Sequence, residues 1–142
     1  MEHPKGKTPI QPKRILIADD EFLIRWSLTK ALSQEGYIVT AVENGRMAVE
    51  AAQSEHFDFI ITDLVMPELG GWEVLDFLRG TKTSSRIIMM TGHGKEDTEK
   101  MARERGVWAY VQKPFIIDRI KQILRDALAG GDSSNLNLSY SL

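Results

Sequence analysis

The sequence predicts an α/β domain in which helices cover both faces of a five-stranded parallel sheet, a doubly wound arrangement. Short apolar runs rich in β-branched residues alternate with helix-like patterns five times along the chain. The runs are nearly continuous in apolar residues, as is typical of parallel strands that are covered on both faces. Right-handed crossovers between successive strands would distribute the helices over the two sides of the sheet.

The strands are predicted from these apolar runs and from the polar residues that end them. The first run ends at Asp19, the third at Asp63 and the fourth at Thr91. The five predicted strands are centred on residues 14–18, 37–42, 58–62, 86–91 and 107–111.

Four of the intervening segments combine apolar residues at helical spacing with signals of helix ends. In the first of them, Ile24, Leu28 and Leu32 repeat along one helix face, and Gly36 supplies a C-terminal stop. Asn44 is suited to cap the helix that follows it. These segments predict helices at residues 21–35, 45–55, 72–79 and 115–128.

Segment 95–105 is expected to form a weakly anchored helix. Only Met101 and Ala102 are suited to burial there, and the other side chains are polar or charged. An element with few buried apolar contacts moves at a low cost in free energy. We therefore expect this helix to shift easily, although a solvated helix at the edge of the sheet explains the same composition.

Composition restricts the classes of function that the chain can have. Its 142 residues carry a net charge of −2, which does not favour electrostatic capture of nucleic acid. The absence of cysteine excludes disulfides and thiolate metal sites and fits a reducing compartment. No apolar run reaches the roughly 18 residues that a membrane helix needs. We therefore expect a cytoplasmic protein without membrane association.

The two ends of the chain differ from its middle. We predict a flexible tail at 1–12, a folded domain at 13–129, and a second flexible tail or linker stub at 130–142. The fourteen residues after Leu128 are too few for a DNA-binding or catalytic output domain. We expect either a stand-alone domain or one excised from a longer protein.

Polar side chains stand at the carboxyl ends of four predicted strands. Asp19 and Asp20 follow the first strand, and Asp63 closes the third. Thr91 closes the fourth strand, and Lys113 follows the fifth. Singly, each has a simpler explanation, such as helix capping for Asp20 or a turn for Thr91. Because ligands bind at this edge of parallel sheets, their convergence predicts a divalent-metal and phosphoryl site.

Clustered carboxylates repel one another unless a cation neutralises them. Mg²⁺ suits such a cluster, because it takes one or two carboxylates, keeps several waters and leaves room for phosphate oxygens. One carboxylate can then attack phosphorus. The charge that develops on the phosphoryl oxygens would be spread over the metal, the Lys113 ammonium and the Thr91 hydroxyl.

The polar residues fall into an ordered set of motifs. These are Asp19-Asp20, Asp63-Leu64-Val65-Met66-Pro67 with Gly71, Thr91-Gly92, Tyr110 and Lys113-Pro114-Phe115. Over about residues 13–129 the set resembles the receiver domain of bacterial two-component response regulators. The resemblance implies a flavodoxin-like fold with the strand order 2-1-3-4-5. Trp26, which we otherwise expect to pack within its helix, and Thr91-Gly92-His93-Gly94 are also similar to nitrogen-regulator-type receivers.

The resemblance implies a role for each residue of the set. Asp63 is expected to be the phosphoacceptor, and Lys113 to contact the phosphoryl oxygens. Thr91 is expected to move toward those oxygens, after which Tyr110 turns inward as a switch, although core packing also explains a buried Tyr110. The bond between Lys113 and Pro114 is implied to be cis. The implied Mg²⁺ ligands are Asp20, Asp63, the backbone carbonyl of Val65, and Asp19 directly or through a water.

The resemblance also implies partners. A sensor histidine kinase or a histidine phosphotransfer protein would supply the phosphoryl group. A downstream protein would bind the face formed by residues 95–105, 107–111 and 115–128. We expect a monomer or a phosphorylation-dependent dimer. The domain would then be a signalling module, with self-catalysed phosphotransfer and autodephosphorylation as its only chemistry.

Three alternatives remain open at this point. A Mg²⁺-dependent phosphatase or phosphotransferase would use Asp63 as a nucleophile on small substrates, but haloacid-dehalogenase-type enzymes carry an acid where this chain has Val65. A flavin-binding domain needs a phosphate loop after the first strand, where Asp19-Asp20-Glu21 would repel phosphate. A degenerate receiver would bind without phosphorylation, which the complete set of acids, Thr91 and Lys113 argues against.

Two positions near the expected phosphoacceptor bear on the lifetime of a phosphorylated state. Val65 is apolar where fast-cycling chemotaxis-type receivers can carry a polar residue that orients water. We hypothesise that Val65 screens an acyl phosphate from water. His93 replaces an acid found in some of those receivers, and it either donates to water or is a plain exposed loop residue.

Overall fold

Five strands alternate with five helices in the computed structural model, which describes residues 11–81 and 83–130. The strands are β1 (Arg14–Ala18), β2 (Ile38–Val42), β3 (Phe59–Asp63), β4 (Arg86–Thr91) and β5 (Ala109–Gln112). The helices are α1 (Phe22–Gln34), α2 (Gly45–Ser54), α3 (Gly71–Gly80), α4 (Thr98–Glu104) and α5 (Ile117–Leu128). Each predicted element is present: β1 and β4 have the predicted ends, and the ends of the other elements lie within three residues of the prediction.

The five strands form one parallel sheet in the order β2-β1-β3-β4-β5. This confirms the predicted fold class and strand order. Strand β2 lies on one side of β1, whereas β3, β4 and β5 follow one another on its other side. The connection after β1 and the connection after β3 therefore run in opposite directions along the sheet. The crevice at this switch point is where doubly wound sheets bind ligands.

Two apolar cores lie on opposite faces of the sheet, because successive strand residues point to opposite sides. Ile15 and Ile17 of β1 belong to the core that α1 and α5 cover, with Leu28, Leu32, Ile120 and Leu124 among its buried members. The core on the other face is covered by α2, α3 and α4 and includes Leu16, Ala48, Ile60, Val74, Leu75, Met89 and Ala102. Each fully buried leucine contributes about 1.5 to 3 kcal/mol of transfer free energy, so the helices that supply buried leucines are firmly held. Helix α4 supplies only Ala102 to this core.

Strand β2 lies at the edge of the sheet, as the predicted order requires, and only Val42 in it is buried. Two details differ from expectation. Helix α4 begins at Thr98 rather than at residue 95, because the Lys95 N–H donates to Thr98 Oγ1 at 2.7 Å in a turn that precedes the helix. Trp26 is not buried by helix packing: it is 53% exposed, and the Lys30 ammonium lies 5.0 Å from its ring centroid.

The predicted tails stay predictions, since residues 1–10 and 131–142 lie outside the described part of the chain. Among the helices of residues 11–81 and 83–130, none is both long and apolar enough to cross a bilayer.

Candidate phosphoryl and metal site

The register of the sheet brings the polar strand ends together. The pairing of β1 with β3 makes Asp19 and Asp63 the outermost groups of two neighbouring strands. On the other side of β3, the pairing of β4 with β5 brings Lys113 next to Thr91, whose carbonyl accepts the Lys113 N–H at 2.9 Å. Four residues that lie far apart in the sequence thus meet at one edge, as predicted.

The centre of this site is the ammonium of Lys113. Its Nζ lies 2.8 Å from Asp19 Oδ2, 2.9 Å from Asp63 Oδ2 and 3.1 Å from Glu21 Oε1. The lysine side chain is 11% exposed, and those of Asp19 and Asp63 are 0% and 4% exposed. A deeply buried ion pair offsets its desolvation cost only when the charged groups are well positioned relative to each other. Removing one partner would leave an uncompensated buried charge.

Burial and ion pairing act in opposite directions on the protonation of these groups. Burial raises the pKa of the Asp19 carboxyl, and the hydrogen bond from Lys113 only partly offsets this. Burial by itself would lower the pKa of Lys113, but the hydrogen bonds to Asp19 and Asp63 outweigh it and raise that pKa. The ammonium is therefore charged throughout the ordinary pH range and supplies a permanent positive charge to the site.

A tight turn after β3 orients the Asp63 carboxylate. The Val65 N–H donates to Asp63 Oδ1 at 3.3 Å, and the Gly71 N–H donates to the Leu64 carbonyl at 2.8 Å. A Cβ at Gly71 would overlap the carbonyl oxygen of Asp63, so only glycine lets α3 begin this close to the strand end. The Val65 side chain itself projects outward and is 50% exposed.

The acidic residues of the site fit a hard divalent cation. Asp19, Asp20, Glu21 and Asp63 each offer a carboxylate oxygen within 4.8 Å of the others. Oxygen donors at this density are the ligands that Mg²⁺ prefers, and the exposed positions of Asp20 and Glu21 leave room for water and phosphate oxygens. Sequence reasoning did not include Glu21 in the site. Its position directly after Asp19-Asp20 is the signal that could have placed it there.

The Thr91 hydroxyl is turned toward its own loop. Its Oγ1 accepts the His93 N–H at 2.9 Å. One residue further on, Gly94 packs against the hydroxyl end of Tyr110. The Tyr110 ring is buried at 1% exposure, and its hydroxyl has no hydrogen-bond partner among the described residues. The ring thus already lies inside the domain, where the resemblance implies that it would turn only after Thr91 moves, and the loop that carries Gly94 lies against its hydroxyl.

The remaining expected features lie near these groups. The Lys113–Pro114 peptide bond is cis. A groove of about 490 Å³ opens beside Lys113, and its lining includes Glu21, Ile24, His93 and Phe115.

A doubly wound parallel sheet with an acidic, lysine-bridged site at its switch point defines an α/β domain equipped for phosphate chemistry. Residues 15–125 match the family model of the response regulator receiver domain. The chain belongs to this family and is a phosphorylation-controlled signalling domain.

Known relatives agree with this assignment. Sporulation initiation phosphotransferase F of Bacillus subtilis (strain 168) is 31% identical over 116 residues, which cover 82% of this chain and 94% of the relative. Regulatory protein AtoC of Escherichia coli (strain K12) is 35% identical over 115 residues, which cover 81% of this chain and 25% of that protein. The DNA-binding transcriptional regulator NtrC of Proteus hauseri is 29% identical over 119 residues, 84% of this chain and 25% of that protein. The chain thus spans about a quarter of the length of these two regulators.

Solved structures show the same fold. A CheY-like response regulator receiver domain protein from Methanospirillum hungatei JF-1 has a TM-score of 0.80 and 26% identity, covering 84% of this chain and 96% of that one. The family match and these similarities favour the signalling domain over the small-substrate phosphatase alternative.

Proposed function

We propose that Asp63 accepts a phosphoryl group from a sensor histidine kinase or a histidine phosphotransfer protein in a Mg²⁺-dependent reaction. The observation that carries this proposal is the Lys113 ammonium, which joins Asp63 at 2.9 Å to Asp19 at 2.8 Å. Such a fixed positive charge lies where the oxygens of the transferred group would gather.

In the proposed step, an Asp63 carboxylate oxygen forms a bond to phosphorus while the bond between phosphorus and its donor breaks. The electron pair of that bond leaves with the donor atom, which is a histidine nitrogen or, for acetyl phosphate, the acetate oxygen. The Val65 N–H and the Lys113 ammonium each contact one Asp63 oxygen, so the nucleophile is already oriented.

The proposed ligands of Mg²⁺ are Asp19, Asp20, Asp63 and the Val65 carbonyl. When bound, the ion would neutralise the carboxylates and the phosphoryl oxygens. The residues of the chain supply the rest: Lys113 contacts the phosphoryl oxygens, and the Thr91 hydroxyl donates to one of them.

The Thr91 hydroxyl is the proposed link between phosphorylation and partner binding. When it turns toward the phosphoryl group, the His93 N–H loses its acceptor and the following loop moves. Because Gly94 packs on Tyr110, that movement changes the space available to the ring, which acts as the switch. Phosphorylation then shifts the population between two packings. The proposed partner face comprises residues 95–105, 107–111 and 115–128.

The proposal includes a cytoplasmic location, which the cysteine-free composition fits. It further includes a downstream protein as the binding partner, and a domain that is monomeric or dimerises on phosphorylation.

Incubation with Mg²⁺ and acetyl phosphate, read by intact mass, tests the central step. We expect the wild-type chain to gain one phosphoryl group and Asp63→Asn to gain none. Asp118→Asn is the matched control, because this carboxylate is 89% exposed on α5 and its ion-pair partner is Lys121, which is not a residue of the site. Labelling of Asp63→Asn to the wild-type extent, or labelling that persists in excess EDTA, would contradict the proposal.

Hydrogen exchange tests the proposed switch separately. We expect the protection of amides in 92–110 to change when the domain is phosphorylated, while the amides of α2 keep theirs. Unchanged protection across 92–110 would leave phosphorylation intact but remove the proposed switch.

A further inference from the structure

The Lys113 ammonium has no hydrogen left over for a phosphoryl oxygen. An ammonium carries three N–H donors. Asp19, Asp63 and Glu21 each accept one of them, at 2.8, 2.9 and 3.1 Å. If Lys113 is to contact a phosphoryl group, as in the function proposed above, one of these carboxylates must first give up its hydrogen bond.

Burial indicates which carboxylate leaves. Asp19 is fully buried, and its other oxygen accepts the Glu21 N–H at 2.8 Å, so it is fixed from two sides. Asp63 is the proposed phosphoacceptor, and the Val65 N–H donates to its Oδ1 at 3.3 Å, so its side chain is held beside Lys113. The Glu21 side chain is 60% exposed and can rotate into water without disturbing the core.

We infer that Glu21 is a positioning residue, which holds the third N–H of Lys113 in the unphosphorylated domain and is displaced by a phosphoryl oxygen. This inference rests on the proposed function of Asp63. Through this contact the Glu21 carboxylate keeps the ammonium aligned, but it also competes with the incoming phosphoryl group for the same hydrogen.

The competition predicts the direction and the size of the change in phosphorylation rate when Glu21 is replaced. Replacing the Glu21 carboxylate by an amide weakens its hydrogen bond to Lys113, because a neutral oxygen is a poorer acceptor from an ammonium, and removes a negative charge that repels the phosphodonor. Exposed ion pairs are worth up to about 1 kcal/mol, so we expect Glu21→Gln to be phosphorylated about two- to five-fold faster. Its stability should be close to that of the wild type, since surface substitutions change the free energy of unfolding little.

The experiment compares wild type, Glu21→Gln and Glu43→Gln in the rate of phosphorylation by acetyl phosphate with Mg²⁺. Glu43 is the matched control, because its side chain is 64% exposed after β2 and its ion-pair partner is Arg25 at 4.0 Å. The Mg²⁺ affinity of each unphosphorylated protein is measured by calorimetry. The ¹⁵N resonance of Lys113 Nζ is recorded before and after phosphorylation.

Four results are expected together. Glu21→Gln is faster than wild type, Glu43→Gln is not, and the Mg²⁺ affinities of the three proteins agree within about two-fold. The Lys113 Nζ resonances of wild type and Glu21→Gln differ before phosphorylation and coincide after it, because Glu21 has then left the lysine in both. A structural role alone would not produce this convergence.

Several results would overturn the inference. Glu21→Gln as slow as wild type, or Nζ resonances that differ equally in both states, would show that the contact is not exchanged. A Mg²⁺ affinity about ten-fold weaker in Glu21→Gln would make Glu21 a metal ligand instead. If any one of these results is found while the wild type is still labelled at Asp63, only the inference about Glu21 fails. If wild type is not labelled at all, the proposed function fails and the inference with it.

Discussion

Replacing Gly94 by alanine should destabilise the domain through a single oxygen atom. A Cβ at Gly94 would overlap the Tyr110 hydroxyl, whereas Tyr110 Cζ at 3.5 Å and Thr91 Cγ2 at 3.4 Å would remain at ordinary contact distances. Deleting that oxygen by Tyr110→Phe should therefore remove most of the penalty. The prediction concerns the coupling between two substitutions, which a double-mutant cycle measures directly.

The magnitudes follow from the packing. Overpacking of a buried site costs about 1 to 3 kcal/mol, and expelling the ring would forfeit a similar burial free energy. Tyr110→Phe alone should be neutral or stabilising by about 1 kcal/mol, because it removes a buried hydroxyl that has no partner among the described residues. In the presence of Tyr110→Phe, the cost of Gly94→Ala should fall close to zero. The expected coupling is thus about 1 to 3 kcal/mol.

Urea denaturation of the wild type, the two single variants and the double variant provides the four free energies of unfolding. Near-UV circular dichroism reports whether the tyrosine environment changes in Gly94→Ala. Gly80→Ala is the control, because a Cβ there meets nothing within 4 Å. If the effects of the two substitutions add within about 0.5 kcal/mol, the Tyr110 hydroxyl does not lie against Gly94 and the reasoning is refuted.

Three further predictions concern the strand ends and the same ring. Val65→Asn should lose its phosphoryl group several-fold faster than wild type, as followed by intact mass after donor removal; an unchanged rate removes the screening hypothesis. Gly71→Ala should lower the free energy of unfolding by about 1 to 3 kcal/mol, because its Cβ would overlap the Asp63 carbonyl, whereas the Gly80→Ala control should not. Burial, and then Glu99, raise the pKa of Tyr110 above its ordinary 10.0, so the folded state keeps a phenolic proton that the unfolded chain loses. Stability should therefore fall as the pH rises above about 10, and less steeply in Tyr110→Phe, which pH-dependent urea titrations would show.

The sequence alone was sufficient for the fold class and for the edge that carries the polar residues. Apolar runs and helical spacings report which faces of each element are buried, and these are local properties of the chain. Asp63 and Thr91 end their strands as predicted, and the parallel order places those ends on one side of the sheet. The roles of these residues remain a proposal.

Element ends and exposure were less predictable, because they depend on single hydrogen bonds and on position in the sheet. The start of α4 depends on the bond from Lys95 to Thr98 Oγ1, which no apolar period reveals. The size of the Trp26 ring favours burial, but its position two residues from both Ile24 and Leu28 places it off the face that they form, and it is 53% exposed.

The sequence predicts that the strand ends converge, whereas only the tertiary structure decided which atoms of those side chains are in contact. Lys113 contacts Asp19 across 94 sequence positions and Glu21 across 92, and no local pattern encodes either distance. Gly94 meets Tyr110 because β4 and β5 are neighbours in register, which brings the loop after one strand over a residue of the other. Periodicity is set by backbone geometry within each element, whereas such contacts require the crossovers and registers of the whole sheet.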